Sequence, residues 1–268
     1  MQIFSGLCAG RVPAILGPMA DPETLTLYGY AGYAGLSDLS PFVAKLESWL
    51  HLAEVPYTKR LGDSRKAPRK KLPFIAHQGR KITDSQRILE YFAEAGVGDL
   101  DGWLDADQRA ETFALRSMLE LDFYFILVFF RWQHEPGWAH YREGIGAVIR
   151  QSGVPKVLLN SVLRLARKQA VGQLLAQGTG RRDAEENLAH ARSLFASLEW
   201  MLRQREPGRF WFGDRPSSAD AIAHAFVASA VVPPLGLEIG RLLEPNPRLQ
   251  AWFESVDPRC RDTSPATG

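Results

Sequence analysis

The chain has 268 residues, of which 46% are apolar and 23% charged, and a formal net charge of +2. These values describe one or two globular domains and exclude a disordered chain, a fibrous repeat and the strongly basic field that would hold nucleic acid. Its two cysteines, Cys8 and Cys260, are too few for a disulfide scaffold or a four-cysteine zinc site, and they suit a reducing, cytoplasmic setting.

Residues 1–23 show no period. Pro13 and Pro18 interrupt a short apolar run and Arg11 is its lone basic residue, so the segment reads as a tail rather than a secretory signal, with Met19 as an alternative start to Met1. From Thr24 to Tyr30 the chain alternates and is rich in strand formers. Gly29, Gly32, Gly35 and Ser37 mark a loop. Ser40-Pro41 then opens a helix, serine as N-cap and proline in the first turn, that continues from Phe42 to Ala53 with Phe42, Leu46, Trp49 and Leu50 on one face. A second strand begins at Pro56-Tyr57-Thr58. The basic stretch from Gly62 to Lys71 has no clear period. Leu72 to His77 is a third strand, Gln78-Gly79 a turn, Lys81 to Thr83 a fourth strand, and Asp84 to Ala95 a helix with Ile88, Leu89 and Phe92 inward. This order predicts a small α/β domain, a mixed sheet covered by helices, over residues 24–95.

Residues 96–104 read as a linker. Beyond it, helices are expected near 105–132, 139–151, 155–177, 183–205, 218–230 and 247–256, broken at Pro136-Gly137, Gly153, Gly178-Thr179-Gly180, Pro207-Gly208 and Pro233-Pro234. They form an all-α domain over 105–257, with 258–268 as a C-terminal tail. The run Phe123 to Phe130 is eight apolar residues, about 12 Å of helix, which is far short of a bilayer core and reads as a buried segment.

Three places could carry chemistry. Ser40 sits where unpaired backbone N–H groups and the helix dipole favour negative charge, so a thiol held there would ionise more readily; from spacing alone, a serine that only caps its helix is the commoner case. Asp84-Ser85 opens the next helix, where Ser85 and backbone N–H groups suit a carboxylate and Asp84 an ammonium; again capping is the alternative. Pro73 is awkward inside a sheet, and a cis bond after Leu72 would expose the Leu72 backbone to an extended peptide.

Together these residues resemble the thioredoxin-like half of the glutathione transferase superfamily, through Ser40-Pro41-Phe42 with Lys45, Lys70-Lys71-Leu72-Pro73-Phe74-Ile75, and Thr83-Asp84-Ser85 with Ile88 and Tyr91. The resemblance implies a thioredoxin-like N-terminal domain plus a helical C-terminal domain, with Ser40 activating glutathione. It implies that Lys71, Leu72, Pro73, Asp84 and Ser85 bind glutathione, and that Tyr33 and Tyr124 line a second-substrate pocket. Asp84 stands where glutamate is usual, one methylene shorter, and Val43 where some relatives carry cysteine. Glutathione enters as substrate, with no metal, and a homodimer is implied. Gly213 to Ala221 is similar to the family's helix-start motif, with Ser217 and Asp220 at capping-box spacing. Gln177-Gly178-Thr179-Gly180-Arg181-Arg182 with Glu185-Glu186, and Leu39 to Phe42 with Lys45-Leu46-Glu47, resemble the failed axon connections and metaxin-like branch, some of whose members are adaptors or membrane-associated rather than enzymes.

One feature bears on that alternative. Between Gly144 and Arg182 lie seven basic residues and no acidic one. Lys156, Arg164 and Lys168 fall on a helical spacing, so the segment is either a solvated face or a basic surface for an anionic membrane or an acidic partner. The six histidines lack metal-ligand spacing, and neither a phosphate-binding loop nor a serine-hydrolase elbow is present. The aromatic run around Phe123, Tyr124, Phe125, Phe129, Phe130 and Trp132 points around its helix, so most of it is expected in the core.

Overall fold

The structure is a computed structural model that describes residues 25–64, 67–232 and 238–260. Its first half runs β1 (Thr26–Gly29), α1 (Pro41–Leu52), β2 (Thr58–Leu61), β3 (Phe74–His77), β4 (Arg80–Thr83) and α2 (Ser85–Ala95). The strands form one sheet in the order β2-β1-β3-β4, with β1 parallel to β2 and the other pairs antiparallel. Leu27 lies opposite Ile75. Both are buried with Val43, Leu46 and Leu50 of α1 and Ile88 and Phe92 of α2, so the two helices cover the sheet through the apolar faces that their spacing sets.

The second half is helical: α3 (Ala106–Ser117), α4 (Tyr124–Val128), α5 (Glu135–Gln151), α6 (Leu159–Gln177), α7 (Ala184–Arg203), α8 (Ser218–Val231) and α9 (Pro247–Cys260). Wider π-helical turns at Met118–Phe123 and Phe129–Gln133 flank α4 and carry the backbone as one rod from α3 to residue 133. Phe123, Phe129, Phe130 and Trp132 are core residues, while Tyr124 and Phe125 are only half-buried. The expected break at Pro136-Gly137 is displaced. The backbone turns at His134 and α5 starts at Glu135, because a proline in the first turn lacks an N–H that would be unpaired anyway. The proposed break at Pro233-Pro234 and the tail before Thr24 lie outside the described residues.

Asp220 organises the start of α8. It is fully buried, and its carboxylate accepts hydrogen bonds from the Trp211 N–H (2.6 Å), the Trp252 indole (3.0 Å), and the Ser217 N–H and hydroxyl (2.9 Å each). The expected capping-box residues are thus also the tie between α8, α9 and the turn before α8.

The two halves share contacts. Ala221 of α8 belongs to the core beneath the sheet. The Trp49 indole donates to Ser218 Oγ (3.2 Å), and Ser48 Oγ lies 2.8 Å from His224 Nδ1. Lys45 of α1, wholly buried, pairs with Glu120 of the first π turn at 2.5 Å. Burial pushes the Lys45 pKa down while the Glu120 carboxylate works against that shift.

Candidate active site

The site begins where β1 ends. A Cβ at Gly29 would lie 2.5 Å from Val43 Cγ1 and 2.7 Å from Asp38 Oδ2, so only glycine lets α1 and the following loop come this close. Asp38 is the buried anchor of that loop. Its Oδ1 accepts the Ser40 N–H (2.8 Å), and Lys59 of β2 lies 3.2 Å from its Oδ2 while also pairing with Glu47 (3.0 Å) and donating to the Ser37 carbonyl (2.7 Å). Burial pushes the Asp38 pKa up to about 7, against the opposing pull of the Lys59 ammonium.

The loop delivers Ser40 as the residue before α1, with extended backbone. Its carbonyl accepts the Val43 and Ala44 N–H groups (3.0 Å each), but its hydroxyl makes no capping bond. Pro41 has no N–H, and no described residue accepts from the Phe42 N–H. A hydroxyl and a backbone donor therefore stand unused at the positive end of α1.

Ser40 opens on a cleft also lined by Lys71 and Leu72 from the N-terminal half, and by Tyr124, Arg131 and Tyr141 from the C-terminal half. The Leu72–Pro73 bond is cis, and no described residue pairs with the Leu72 backbone. Arg131, buried, donates to the Leu39 carbonyl (2.9 Å) and the Ser229 carbonyl (3.0 Å). It thereby fixes the residue before Ser40 to α8. Burial raises the pKa values of Tyr30, Tyr124 and Tyr141, keeping these phenols protonated.

Asp84, Ser85, Pro73 and Tyr33 lie outside the lining of this cleft. Asp84 is exposed and caps α2, its Oδ1 accepting the Gln86 (3.0 Å) and Arg87 (3.4 Å) N–H groups. It does so at φ 75°, a conformation that costs a non-glycine residue about 1–3 kcal/mol and that clusters at functional sites. Ser85 beside it is buried. The Tyr33 hydroxyl donates to Glu143 (3.3 Å) on α5. Asp38, Arg131, Tyr30 and Tyr141 were not singled out by the sequence reading. Two of them carried a signal: Arg131 is the charge that ends the apolar run, and Asp38 is an acid two residues before an N-cap.

Asp38 makes the protein's stability depend on pH. Its folded pKa of about 7 lies above the ordinary carboxylate value, so between about pH 4 and pH 7 the native state holds a proton that the unfolded chain has released. Stability therefore falls as pH rises through that window. Asp38→Asn keeps an oxygen for the Ser40 N–H and is expected to flatten this slope; thermal unfolding of both proteins at the two ends of the window measures it. Asp220, pushed up to about 6 by burial, contributes with the same sign in both proteins, so the difference between them isolates Asp38.

A thioredoxin-like sheet and a helical half that meet at an open helix N-terminus define a glutathione transferase-like architecture. The glutathione S-transferase N-terminal domain family matches residues 41–137, and the glutathione S-transferase C-terminal domain family matches residues 169–255. The chain belongs to the glutathione transferase superfamily. It is 26% identical to the isoprene-epoxide–glutathione S-transferase of Rhodococcus sp. strain AD45 over 239 residues, 87% of this chain and 97% of that protein. It is 28% identical to Failed axon connections of Drosophila melanogaster over 216 residues, 78% of this chain but 50% of that protein, so the match spans half of that relative's length. Among solved structures it is similar to the β-etherase LigF of Sphingobium sp. strain SYK-6, with a TM-score of 0.58 and 19% identity over 91% of this chain and 96% of that one. It is also similar to a glutathione transferase of Burkholderia graminis with two glutathione molecules bound per subunit, with a TM-score of 0.55 and 18% identity over 92% of each chain. These structural likenesses carry the fold. Among the described residues no helix is long and apolar enough to cross a membrane.

Proposed function

We propose that this chain binds glutathione and conjugates its thiolate to a small electrophile in the cleft beside Ser40. The observation that carries the reading is the Ser40 hydroxyl, spared from capping and adjacent to the unpaired Phe42 N–H at the start of α1. Holding a thiol two units below its usual pKa of about 8.5 requires roughly 2.7 kcal/mol, within reach of one hydroxyl, one backbone donor and a helix dipole together. The thiolate then attacks carbon, with no metal in the step.

The remaining contacts follow from the chemistry of the tripeptide. The unpaired Leu72 backbone beside Pro73 pairs with the cysteinyl residue, and Lys71 supplies a cation for a carboxylate. Asp84 and Ser85 hold the γ-glutamyl head group, Asp84 through the oxygen that its capping role leaves unused. The activity named for the Rhodococcus relative supports conjugation as the reaction. Two copies of the chain form the working homodimer, in the cytoplasm.

A second reading rests on α6 and the turn before it. Lys156, Val157 and Leu158 of the turn and Arg164, Leu165 and Lys168 of α6 are exposed, so apolar and basic side chains share this surface. Such a face suits an anionic membrane surface, with or without catalysis elsewhere. Arg167 does not join it. It donates to the Trp132 carbonyl (2.8 Å) and pairs with Glu135 (2.6 Å).

Calorimetric titration with glutathione separates the readings. Binding by the wild type that weakens at least about tenfold in Asp84→Ala, through loss of a charged hydrogen bond, is expected for the enzyme. No heat with glutathione, together with salt-sensitive binding to vesicles rich in phosphatidylserine, would leave the membrane-surface reading alone.

A further inference from the structure

The peptide between Leu39 and Ser40 is held at both ends. Its carbonyl accepts from the Arg131 guanidinium (2.9 Å), and its N–H donates to Asp38 Oδ1 (2.8 Å). A peptide unit is a rigid plane, so fixing its oxygen and its N–H fixes the plane, and with it the direction in which Ser40 leaves the loop. The two holders come from different halves of the molecule, Asp38 from the loop before α1 and Arg131 from the second π turn. Each offers an ionisable group, and hydrogen bonds to ionised groups are about twice as strong as neutral ones.

A bond from an aspartate carboxylate to the amide two residues on is an ordinary device of surface turns. Asp38 departs from that case. It is wholly buried, and Lys59 of β2 spans the loop beside it, donating to the Ser37 carbonyl (2.7 Å) while its ammonium lies 3.2 Å from Asp38 Oδ2. Ser37, Asp38, Leu39 and Ser40 are thus tied down in turn at a carbonyl, a side chain, a carbonyl and an N–H, while the Ser40 hydroxyl makes no capping bond. A helix start needs none of this, since a serine hydroxyl can cap the helix by itself.

Resting on the glutathione reading above, we propose that Asp38 is a positioning residue for thiolate formation: it grips the Ser40 N–H while Arg131 grips the Leu39 carbonyl, and so turns the Ser40 hydroxyl away from α1 and toward the bound sulfur. Asp38 lies outside the cleft lining and acts through Ser40.

The test titrates bound thiolate by its ultraviolet absorbance in Asp38→Leu and Asp38→Asn. Both lack the charge and only asparagine keeps an oxygen for the Ser40 N–H, so their difference isolates that bond. Lys59 retains Glu47 as its partner (3.0 Å) in each, so neither strands a cation. The thiol pKa in Asp38→Leu is expected about one pH unit above that in Asp38→Asn, which is a roughly tenfold smaller thiolate fraction below both values. In a Ser40→Ala background the difference is expected to vanish, because the grip acts through the hydroxyl, whereas a general loss of structure would persist there. In the wild type, the Ser40 amide is expected to exchange with solvent at least about 100-fold more slowly than that of exposed Ser37, a measurement that stands even where Asp38→Leu does not fold. Equal thiol pKa values in the two variants, a difference that survives Ser40→Ala, or a Ser40 amide that exchanges as freely as that of Ser37 would overturn the proposal. A wild type with no thiolate signal overturns the glutathione reading itself, and this inference with it.

Discussion

Ser40→Ala is expected to raise the pKa of bound glutathione by about 1–2 units and to slow conjugation at neutral pH by about 10- to 100-fold, because a hydrogen bond to a charged group contributes about 1.5–3 kcal/mol. The Phe42 N–H and the α1 dipole remain, so the thiol stays somewhat more acidic than in water. The same variant should unfold within about 0.5 kcal/mol of wild type, since the hydroxyl makes no capping bond and such changes at uninvolved positions are small. A serine that served only as a cap would do the opposite: lose about 1 kcal/mol of stability and leave the thiol pKa where it was. Spectroscopic titration of the thiolate and denaturant unfolding, run on the same preparations, distinguish the two outcomes.

Asp220→Ala is expected to lower stability by about 4 kcal/mol, the scale at which a broken buried hydrogen-bond network stands apart from ordinary substitutions. The loss is larger than that of a cap because the carboxylate serves four donors at once. Without it the Trp211 and Ser217 N–H groups and the Trp252 indole face protein with nothing to accept them. In a chain of this size that corresponds to a fall in Tm of roughly 10 °C. Ser217→Ala, which removes one hydroxyl and leaves the carboxylate in place, should cost about 1 kcal/mol. A loss in Asp220→Ala no greater than that of Ser217→Ala would show that water or rearrangement satisfies the stranded donors.

The elements were largely legible because their signals are local. Leu27 and Ile75 fall on the buried side of short alternating strands, Ile88 and Phe92 on one face of a helix, and Ser40-Pro41 and Ser217 with Asp220 mark helix starts by their own chemistry. Pro136 misled for an equally local reason: the residue that ends a helix also opens one, and only the backbone at His134 decides between them. The far side of the cleft was harder to read. Arg131 reaches the Leu39 carbonyl across 92 residues of sequence, and nothing in either neighbourhood encodes that contact. Tyr141 sits among helix formers and reads as a core aromatic until α5 is placed against the second π turn, where its ring meets Trp132 and Arg131. The Tyr33 hydroxyl donates to Glu143 on α5, a direction that loop composition does not reveal.

The Lys45–Glu120 pair bears on how this protein can change over time. Lys45, wholly buried, would be costly if left without its partner, by about 3–5 kcal/mol, whereas exchanging both residues for apolar side chains of similar volume would be tolerated. The two positions must therefore drift as a couple, although one belongs to the sheet-bearing half and the other to the helical half. Joining the sheet-bearing half to a helical half without an acid at this place would leave the Lys45 ammonium buried and unpaired, so an exchange of whole domains carries a cost at this seam.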